Sequence, residues 1–497
     1  MILVVSSTVK AQDIKQPHPG DENTPVSGTL PVLYINTDDN IPITQKETYL
    51  PGTYWFDNKD LDGIQSVGSK DEPLPLEIRQ RGNSSRQYPK KPYKIKLGKK
   101  TEIYGMPKQK HFALLSHWSP NTGLIDMTGF ELGRCAGLEW TPMEKPVEVV
   151  LNGYNVGLYY IAESVKIDSK RIDIYEQEDQ NTDEALVDGG WLIEIDNYPD
   201  PCQVKIVQDP EGEHFETRFT YKTPEDLSDL QHDWLVEELT TISNMIYSAD
   251  KSDCTWFEKI DSDQLARYYI VQELLGNQDA FVGSTYLHKD LGGKWKFGPL
   301  WDLGWSFSTG QRDKTFAEMR HESNPELRFT WIDEMWKFPA FREKVYEVWN
   351  SIYPAELQGI DEFITETANN ISSAFELNYN TLWPQDHYSS SYIANGLKNK
   401  LQLYASWLNN YLSMNSIVDV QCDYKASSIS VIGNTEGSFI IQGPEVTSLK
   451  LVDVNGRNID VALTASNSFV IDAPAGIYIL AASTADGPCL PIKFVVR

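Results

Sequence analysis

The sequence has few cysteines, no long apolar run and a shortage of positive charge, and each absence excludes a class of protein. Only five of the 497 residues are cysteine, too few for a scaffold built on disulfides, and no His/Cys cluster has the spacing of a zinc site. No stretch of about 18 apolar residues is present, so we expect no membrane-spanning helix. The net charge of −27 argues against a general nucleic-acid or anionic-membrane binder.

The composition that is present indicates a globular chain of more than one domain. A chain of 497 residues is too long to fold around a single hydrophobic core. Its 40% hydrophobic content argues against disorder. Residues 12–29 are polar and rich in proline, which is typical of a flexible leader. From residue 429 onward, short apolar runs separated by turns predict a small β-sandwich. We therefore expect a leader at 1–29, a main domain at 30–415 and a β-sandwich at 423–497.

The N-terminus has features of an export signal. An apolar stretch at residues 2–5 is followed by small residues and Ala11-Gln12-Asp13, although the basic region is absent and the apolar core is short. We interpret it as a signal peptide shortened by a misplaced start, which predicts a secreted or cell-surface protein. Cys422 and Cys489 flank the C-terminal region and could pair in an exported chain.

Residues 74–97 predict two strands joined by a turn of small residues. Apolar residues alternate with charged ones on both sides of Gly82-Asn83-Ser84-Ser85. Residues 79–110 contain eleven Lys or Arg and one acid, Glu102, which suits an anionic ligand, but also an edge strand protected by lysines. A Gly-rich turn lets backbone N–H groups approach a phosphate, and a kinase also needs a lysine on such a strand.

Two acids flank a predicted hairpin further along the chain. A helix that Asp261 caps leads to Asp279, and Asp302 follows a hairpin predicted over residues 285–300. Because a hairpin folds its ends together, both carboxylates could reach one ligand-bound Mg²⁺, which prefers hard oxygen ligands. The alternative is that both acids are solvated turn residues.

These segments together resemble the spore-coat CotH kinase family, an atypical branch of the protein kinases that phosphorylates Ser or Thr of protein substrates. The matching segments are RGNSS (81–85), KKPYKIKL (90–97), GLYYIAE (157–163), GNQD (276–279) and GKWKFGPLWD (293–302). The resemblance covers about residues 30–415. It implies an α+β fold, an atypical two-lobed kinase-like domain with a helical lower lobe, followed here by the small β-sandwich.

The resemblance also implies roles for individual residues, with ATP and Mg²⁺ as cofactors. Asp279 corresponds to the catalytic aspartate and Asp302 to the metal-binding aspartate, with Ser284 at the place of a second metal ligand. Glu163 corresponds to the glutamate that pairs with the phosphate-binding lysine. The remaining positions that correspond to nucleotide contacts are Arg81, Gly82, Asn83, Ser84 and one lysine, for which Lys94 is favoured over Lys91.

The sequence departs from the family pattern at several positions. Ser284 stands where the family has Asn, Gly304 where a second acid is frequent, and Asp126 with Met127 where an Arg-Asn pair is usual. Fewer metal ligands weaken metal affinity, which leaves open an inactive kinase-like surface scaffold or adhesin. The 14 Trp and 25 Tyr leave open a carbohydrate-associated binding protein.

The C-terminal strands resemble the sorting domains of the type IX secretion system. The matching segments are VNGR (454–457), GIYIL (476–480) and KFVVR (493–497). This resemblance implies export through a Gram-negative type envelope. The expected partners are then a nucleotide, a protein substrate and the outer-membrane secretion machinery, with no nucleic acid. A generic accessory β-domain is the alternative.

Overall fold

A computed structural model describes most of the chain, which its contacts divide into the units Met1–Ser416 and Ile417–Arg497. The described residues are 24–207, 216–310, 312–327, 330–417, 430–433, 438–443, 445–453, 457–459, 461–464, 467–471, 476–484, 487–488 and 492–496. The predicted export signal, Cys422 and Cys489 lie outside them. No described helix combines the length and the apolar character needed to span a membrane.

A closed barrel of seven strands begins the larger unit. The strands are β1 Val32–Thr37, β2 Leu50–Asp57, β3 Leu74–Gln80, β4 Tyr93–Ile103, β5 Met106–Leu115, β6 Glu144–Leu151 and β7 Tyr154–Glu163. Their order is β1-β2-β3-β4-β5-β7-β6, and parallel pairing of β1 with β6 closes the barrel. Alternating apolar side chains fill its interior, where Ile35, Ile78 and Ile95 are fully buried.

The end of the predicted leader is attached to this barrel. The backbone N–H of Ser27 donates to both carboxylate oxygens of Glu148 at 2.8 and 3.0 Å, and its hydroxyl donates to Oε2 at 2.7 Å. Glu148 lies on β6 and is fully buried. Burial raises the pKa of Glu148, and the hydrogen bonds from Ser27 oppose that effect. Ser27 therefore supplies donors that a buried carboxylate requires.

A second, five-stranded sheet contains the predicted hairpin. Its strands are β8 Trp191–Ile195, β9 Gln203–Ile206, β10 Thr217–Thr223, β11 Thr285–Lys289 and β12 Trp295–Phe297, in the order β12-β11-β8-β10-β9. The hairpin β11–β12 is not isolated, because β11 pairs antiparallel with β8 and places Tyr286 opposite Glu194. The segments on either side of the hairpin are therefore anchored to a buried sheet.

Helices form most of the remaining part of the larger unit. They are α1 Thr122–Cys135, α2 Asp229–Ile246, α3 Ser262–Leu275, α4 Phe316–Ser323, α5 Trp331–Met335, α6 Pro339–Ile352, α7 Ile360–Glu376 and α8 Ser390–Ile417. Shorter helical segments are Asp38–Asn40, Ser85–Gln87, Thr255–Glu258, Pro325–Leu327, Ala355–Leu357 and the π-helical Leu377–Leu382.

Helix α3 positions the segment that contains Asp279. The Asp261 carboxylate accepts the backbone N–H groups of Asp263 and Gln264, so the predicted cap is confirmed. Ten of the 14 residues of α3 are buried, and the helix ends at Gly276, whose φ of 58° suits glycine. A helix buried on most sides holds the loop that follows it in a fixed place.

The smaller unit contains two antiparallel sheets. Its strands are β13 Ser430–Gly433, β14 Ser438–Gln442, β15 Val446–Asp453, β16 Asn458–Ile459, β17 Leu463–Thr464, β18 Ser468–Val470, β19 Gly476–Thr484, β20 Gly487–Pro488 and β21 Ile492–Val496. One sheet has the order β13-β14-β18-β17 and the other β16-β15-β19-β20, with β21 also on β19. Phe439, Phe469, Leu451 and Leu480 join both sheets in one apolar core.

The mixed α+β class expected from the sequence is confirmed by these elements. The sorting role of the C-terminal strands stays a prediction. Residues 454–456 of its signature turn lie outside the described residues.

Candidate functional site

A cavity of about 610 Å³ opens between the barrel, α1 and the second sheet. Its wall includes the β3–β4 loop, the segment after β5, strands β8 and β10, and the segments that flank the hairpin. This volume is within the range of small-molecule and cofactor sites. The predicted site residues that line it are Arg81, Gly82, Asn83, Ser84, Ser284 and Asp302.

The conformation of the β3–β4 loop depends on Gly82. Its φ is +83°, and a Cβ at this position would lie 2.1 Å from Oγ of Ser85, so a larger residue would strain the turn. The Arg81 N–H donates to the Pro92 carbonyl at 3.1 Å and closes the base of the loop. Lys46 Nζ donates to the side-chain oxygen of Asn83 at 2.7 Å. These contacts bring the small-residue turn to the cavity wall.

Arg81 is the cation of this wall that interacts with Asp302. Its guanidinium carbon lies 5.2 Å from the ring centroid of Trp301, the residue before Asp302. Burial lowers the pKa of Arg81, and Asp302 is the strongest of the acids that oppose this effect. Because an arginine stays protonated in proteins, the cavity holds a fixed positive charge close to a carboxylate.

The two candidate lysines have different surroundings. Lys94 lies on β4 opposite Arg79 of β3 and outside the cavity lining. Burial, followed by the charges of Arg79 and Arg81, lowers the pKa of Lys94 to about 8, and its ammonium has no hydrogen bond or ion pair with a described residue. Lys91 instead donates to the backbone oxygen of Arg86 at 2.9 Å, within the loop. Of the two candidate lysines, Lys94 is therefore the one whose ammonium has no partner among the described residues.

Glu163 lies apart from both lysines. It is buried on β7, where its carboxylate accepts the side-chain N–H of Gln109 at 3.3 Å and the backbone N–H of Met143 at 3.0 Å. Within the described residues, no ion pair joins Glu163 to Lys91 or Lys94. The structure therefore gives Glu163 contacts inside the barrel region and leaves its expected pairing with a lysine unformed.

Lys90 is a buried lysine that sequence reasoning missed. The residue is 1% exposed, and its ammonium donates to the backbone oxygen of Leu158 and, at 3.0 Å, to Oδ1 of Asn378. It also lies 4.6 Å from the ring centroid of Tyr159. Lys90 thereby ties the loop to the barrel and to the π-helical segment. A lysine next to another lysine and a proline predicts a surface position, so the pattern contains no signal for this burial.

The two predicted acids lie close enough for their charges to interact, and one of them lines the cavity. Asp302 and Ser284 line it, whereas Asp279 lies next to Asp302 and outside the lining. Burial, followed by the negative charge of Asp302, raises the pKa of Asp279 to about 6. Neither carboxylate has a hydrogen bond or an ion pair with a described residue. The two neighbouring acids repel each other, although Arg81 acts on Asp302 and Arg320 on Asp279 from a distance. A bound cation would remove that repulsion.

The backbone of these segments adopts unusual conformations. Phe281, Ser284 and Asp302 have φ values of 65°, 47° and 54°, which cost about 1–3 kcal/mol for each non-glycine residue. The backbone after Asp302 is restrained by a buried hydrogen bond, in which the Leu303 N–H donates to Oδ1 of Asp126 at 3.1 Å. Such strain, held in place by neighbouring contacts, is typical of functional sites.

The residues present fit a Mg²⁺ ion. The free carboxylate of Asp302 and the hydroxyl of Ser284 are hard oxygen donors, and both residues line the cavity. Mg²⁺ is commonly bound by one or two carboxylates, with water and substrate phosphate as its other ligands. The donor set therefore suits a metal that arrives together with a phosphorylated ligand.

Other residues of the cavity were not identified from the sequence. Glu194 of β8 pairs with Lys222 of β10 at 2.8 Å, and both line the cavity. Burial alone lowers the pKa of Lys222, but the charge of Glu194 raises it above its usual value. Their meeting depends on the pairing of β8 with β10, which residue spacing does not reveal. The Phe, Tyr and Trp residues of the lining are Tyr88, Trp118, Phe130, Tyr198, Tyr286, Trp301 and Trp305.

Asp279→Asn is expected to stabilise the protein more at pH 8 than at pH 5. With a folded pKa of about 6 against an ordinary value of 3.8, the stability that this group contributes is complete below about pH 4 and is lost as pH rises through 6. The uncharged Asn avoids that loss, which amounts to about 1–3 kcal/mol above pH 7.

Thermal unfolding without divalent cations measures this difference. Asp233→Asn removes the charge of an exposed acid and serves as the matched control. Equal stabilisation by Asp279→Asn at both pH values would contradict the raised pKa.

Comparisons with known proteins give one family. The family model described as CotH kinase protein matches residues 78–413, more than half of the chain. Among solved structures, the crystal structure of the Helicobacter pylori proinflammatory kinase CtkA is similar, with 10% identity over 65% of this chain and 95% of that chain. The TM-score is 0.27, too low to carry conclusions from one structure to the other. No curated protein matches the chain.

Proposed function

The chain belongs to the CotH kinase family, and we propose that it transfers the γ-phosphate of ATP to a Ser or Thr hydroxyl of a protein substrate in a Mg²⁺-dependent reaction. The observation that carries the proposal is the proximity of Asp279 to Asp302, which lines a cavity where Arg81 supplies positive charge. Phosphoryl transfer needs positioning and charge stabilisation rather than covalent chemistry by the protein. In the proposed domain, the barrel forms the upper lobe and the helices the lower one.

The basic wall would hold the phosphates. Arg81 can donate two parallel hydrogen bonds to a phosphate, and the turn at Gly82, Asn83 and Ser84 lines the same cavity, as a turn that binds phosphate through its backbone N–H groups would. Lys94, whose ammonium is uncommitted, lies close enough to Arg81 for the two charges to interact. Bound Mg²⁺ would be held by Asp302 and Ser284 and would offset the phosphate charge.

Asp279 would act on the substrate hydroxyl. Its carboxylate is free of described partners, and its backbone N–H donates to the side-chain oxygen of Asn277 at 3.2 Å. A pKa of about 6 leaves the group ionised at pH 7 and close enough to neutrality to serve as a general base. Asp279 would therefore orient the hydroxyl and accept its proton as the phosphoryl group is transferred.

The aromatic rim of the cavity suits a planar ligand. The rings of Tyr88 and Trp118 are stacked with centroids 6.0 Å apart and an interplanar angle of 11°, and Trp305 is 68% exposed. Such rings can stack on an adenine base. They can also stack on a sugar ring, so glycan binding without nucleotide binding would favour the carbohydrate-associated alternative.

A second candidate function is that of a nucleotide-binding scaffold without transfer activity. The observation in its favour is that Gly304 lines the cavity at the place where the family frequently has a second acid. A glycine provides no metal ligand, and Ser284 provides a neutral one. Nucleotide binding without any phosphate transfer would support this candidate.

Arg81→Gln is expected to weaken Mg²⁺-dependent ATP binding by about 10–100-fold, because a hydrogen bond to a charged group contributes about 1.5–3 kcal/mol. Isothermal titration of the full chain with ATP, with and without Mg²⁺, measures the affinity. Arg457→Gln, which changes an exposed arginine of the smaller unit, is the control and should bind as the wild type does. A wild-type protein that binds no nucleotide would contradict the proposed function.

We propose on sequence grounds that the protein is exported to the cell surface or secreted. The N-terminal segment and the C-terminal signature support this. Expression behind a complete signal peptide in a bacterium with type IX secretion, with and without residues 423–497, tests it. Retention of the full chain inside the cell would contradict the proposal.

A further inference from the structure

A cluster of three titratable side chains lies beside the cavity, and the reaction proposed above does not use it. His117 follows β5, Asp126 belongs to α1 and Glu144 begins β6, so three separate elements bring these side chains together. One ligand atom from each residue lies within 4.8 Å of the others. His117 and Asp126 line the cavity, whereas Glu144 is not among the lining residues. The cluster therefore has a path to solvent.

One imidazole nitrogen faces both carboxylates. Nε2 of His117 lies 2.9 Å from Oε1 of Glu144 and 3.7 Å from Oδ2 of Asp126, and the three side chains are 9%, 1% and 5% exposed in that order. A ring nitrogen carries at most one hydrogen. His117 can therefore donate to one carboxylate from this nitrogen, which leaves the other without that donor.

The cluster contains an acceptor that the protein does not satisfy. Oε2 of Glu144 is buried and has no hydrogen-bond partner in the described part of the chain. Burial raises the pKa of Glu144 and of Asp126 well above their usual values and lowers the pKa of His117. Arg81 acts on both acids from a distance. No described ion pair joins Arg81 to either acid.

A divalent cation would satisfy all three side chains at once. Metal–ligand bonds of about 2.0–2.2 Å separate the ligand atoms of a tetrahedral site by about 3.3–3.6 Å. The separations of 2.9 and 3.7 Å between the imidazole nitrogen and the two carboxylates bracket that range, and all three ligand atoms lie within 4.8 Å of one another. One imidazole with two carboxylates suits Zn²⁺ or Mn²⁺, whereas Mg²⁺ prefers oxygen ligands alone.

We propose that His117, Asp126 and Glu144 bind a divalent transition-metal ion of the Zn²⁺ or Mn²⁺ class, at a site separate from the one at Asp302. Three protein ligands beside an open cavity leave positions for water or another oxygen donor. The second oxygen of Asp126 accepts the Leu303 N–H, so the ion would also fix the backbone next to Asp302. The proposal does not depend on kinase activity.

Metal uptake by the full chain, without nucleotide, tests the proposal. Protein stripped with a chelator is titrated separately with Zn²⁺, Mn²⁺ and Mg²⁺, and bound metal is counted by mass spectrometry after gel filtration. We expect about one Zn²⁺ or Mn²⁺ per chain, with a rise in melting temperature, and no retained Mg²⁺. Glu144→Gln and His117→Gln should each lower the affinity more than about 10-fold, since even residues that only support ligands contribute 10–100-fold.

Two controls separate this site from other sources of binding. His232→Gln changes an exposed histidine and should retain the ion. Asp302→Asn should also retain it while losing Mg²⁺-dependent nucleotide binding; loss of the ion in this variant would show that it belongs to the Asp302 site. The two proposals can therefore fail independently.

The outcome that overturns the proposal is equal metal uptake by Glu144→Gln, His117→Gln and the wild type, or no uptake by the wild type. Glu144→Gln is also the variant that is expected to keep the native fold. It removes the charge of a carboxylate whose Oε2 has no described partner, so the metal-free variant should melt no lower than the metal-free wild type. Its fold, checked by circular dichroism, makes a loss of metal interpretable even if His117→Gln does not fold.

Discussion

Asp302→Asn is expected to reduce phosphate transfer by about 1,000-fold or more, because the loss of one charged group that stabilises a phosphoryl-transfer transition state has effects of that size. Asp302 lines the cavity, as Ser284 does, and its carboxylate has no hydrogen bond or ion pair with a described residue. An amide keeps the shape of the side chain but removes the charge that is proposed to bind Mg²⁺. Transfer of labelled phosphate from ATP to the protein itself and to casein measures the loss.

The control for this substitution is Asp233→Asn, which removes an exposed acid on α2 and should leave transfer within about two-fold of the wild type, as surface substitutions usually have small effects. Raising the Mg²⁺ concentration should restore little activity to Asp302→Asn, since the ligand itself is missing. Unchanged transfer by Asp302→Asn would remove this residue from the proposed mechanism.

Asp279→Asn is expected to lower kcat by about 100- to 10,000-fold, the usual contribution of a general base. The wild type should also lose kcat/KM about tenfold per pH unit below pH 6, because burial and Asp302 raise the pKa of Asp279 to about 6 and only the ionised carboxylate accepts a proton. Residual transfer by Asp279→Asn should lack this acid limb.

Rates measured from pH 5 to 8 at constant ionic strength test the assignment. Asp233→Asn should keep the wild-type profile. An acid limb that persists unchanged in Asp279→Asn would mean that another group titrates there. Rates that fall below pH 6 only because the protein unfolds are recognised by circular dichroism at each pH.

The local parts of the fold could be predicted from the sequence. The alternation in residues 74–97 predicts β3 and β4, and the Asp261 cap predicts the start of α3, because these signals depend on neighbouring residues. The closure of the barrel could not be predicted. It requires a parallel register between β1 and β6, which are far apart in the chain and have no turn to fix their pairing.

In the candidate site, too, the local features could be predicted from the sequence and the long-range ones could not. Asp279 and Asp302 flank a hairpin, so their approach follows from local folding. Glu194, Lys222 and the cluster of His117, Asp126 and Glu144 depend on which strands and helices become neighbours. Glu163 illustrates the limit of matching by position, since it follows the family pattern and yet its side chain contacts Gln109 and Met143.

The parallel pairing of β1 with β6 also sets the smallest piece of this chain that can fold. The family match begins at residue 78, inside β3. A fragment that starts there would lack β1 and β2. The edge of β6 would then be exposed, and exposed strand edges promote aggregation. A cut at Val32 would still remove Ser27 and its three hydrogen bonds to Glu148. Recombinant versions of this domain should therefore start upstream of Ser27.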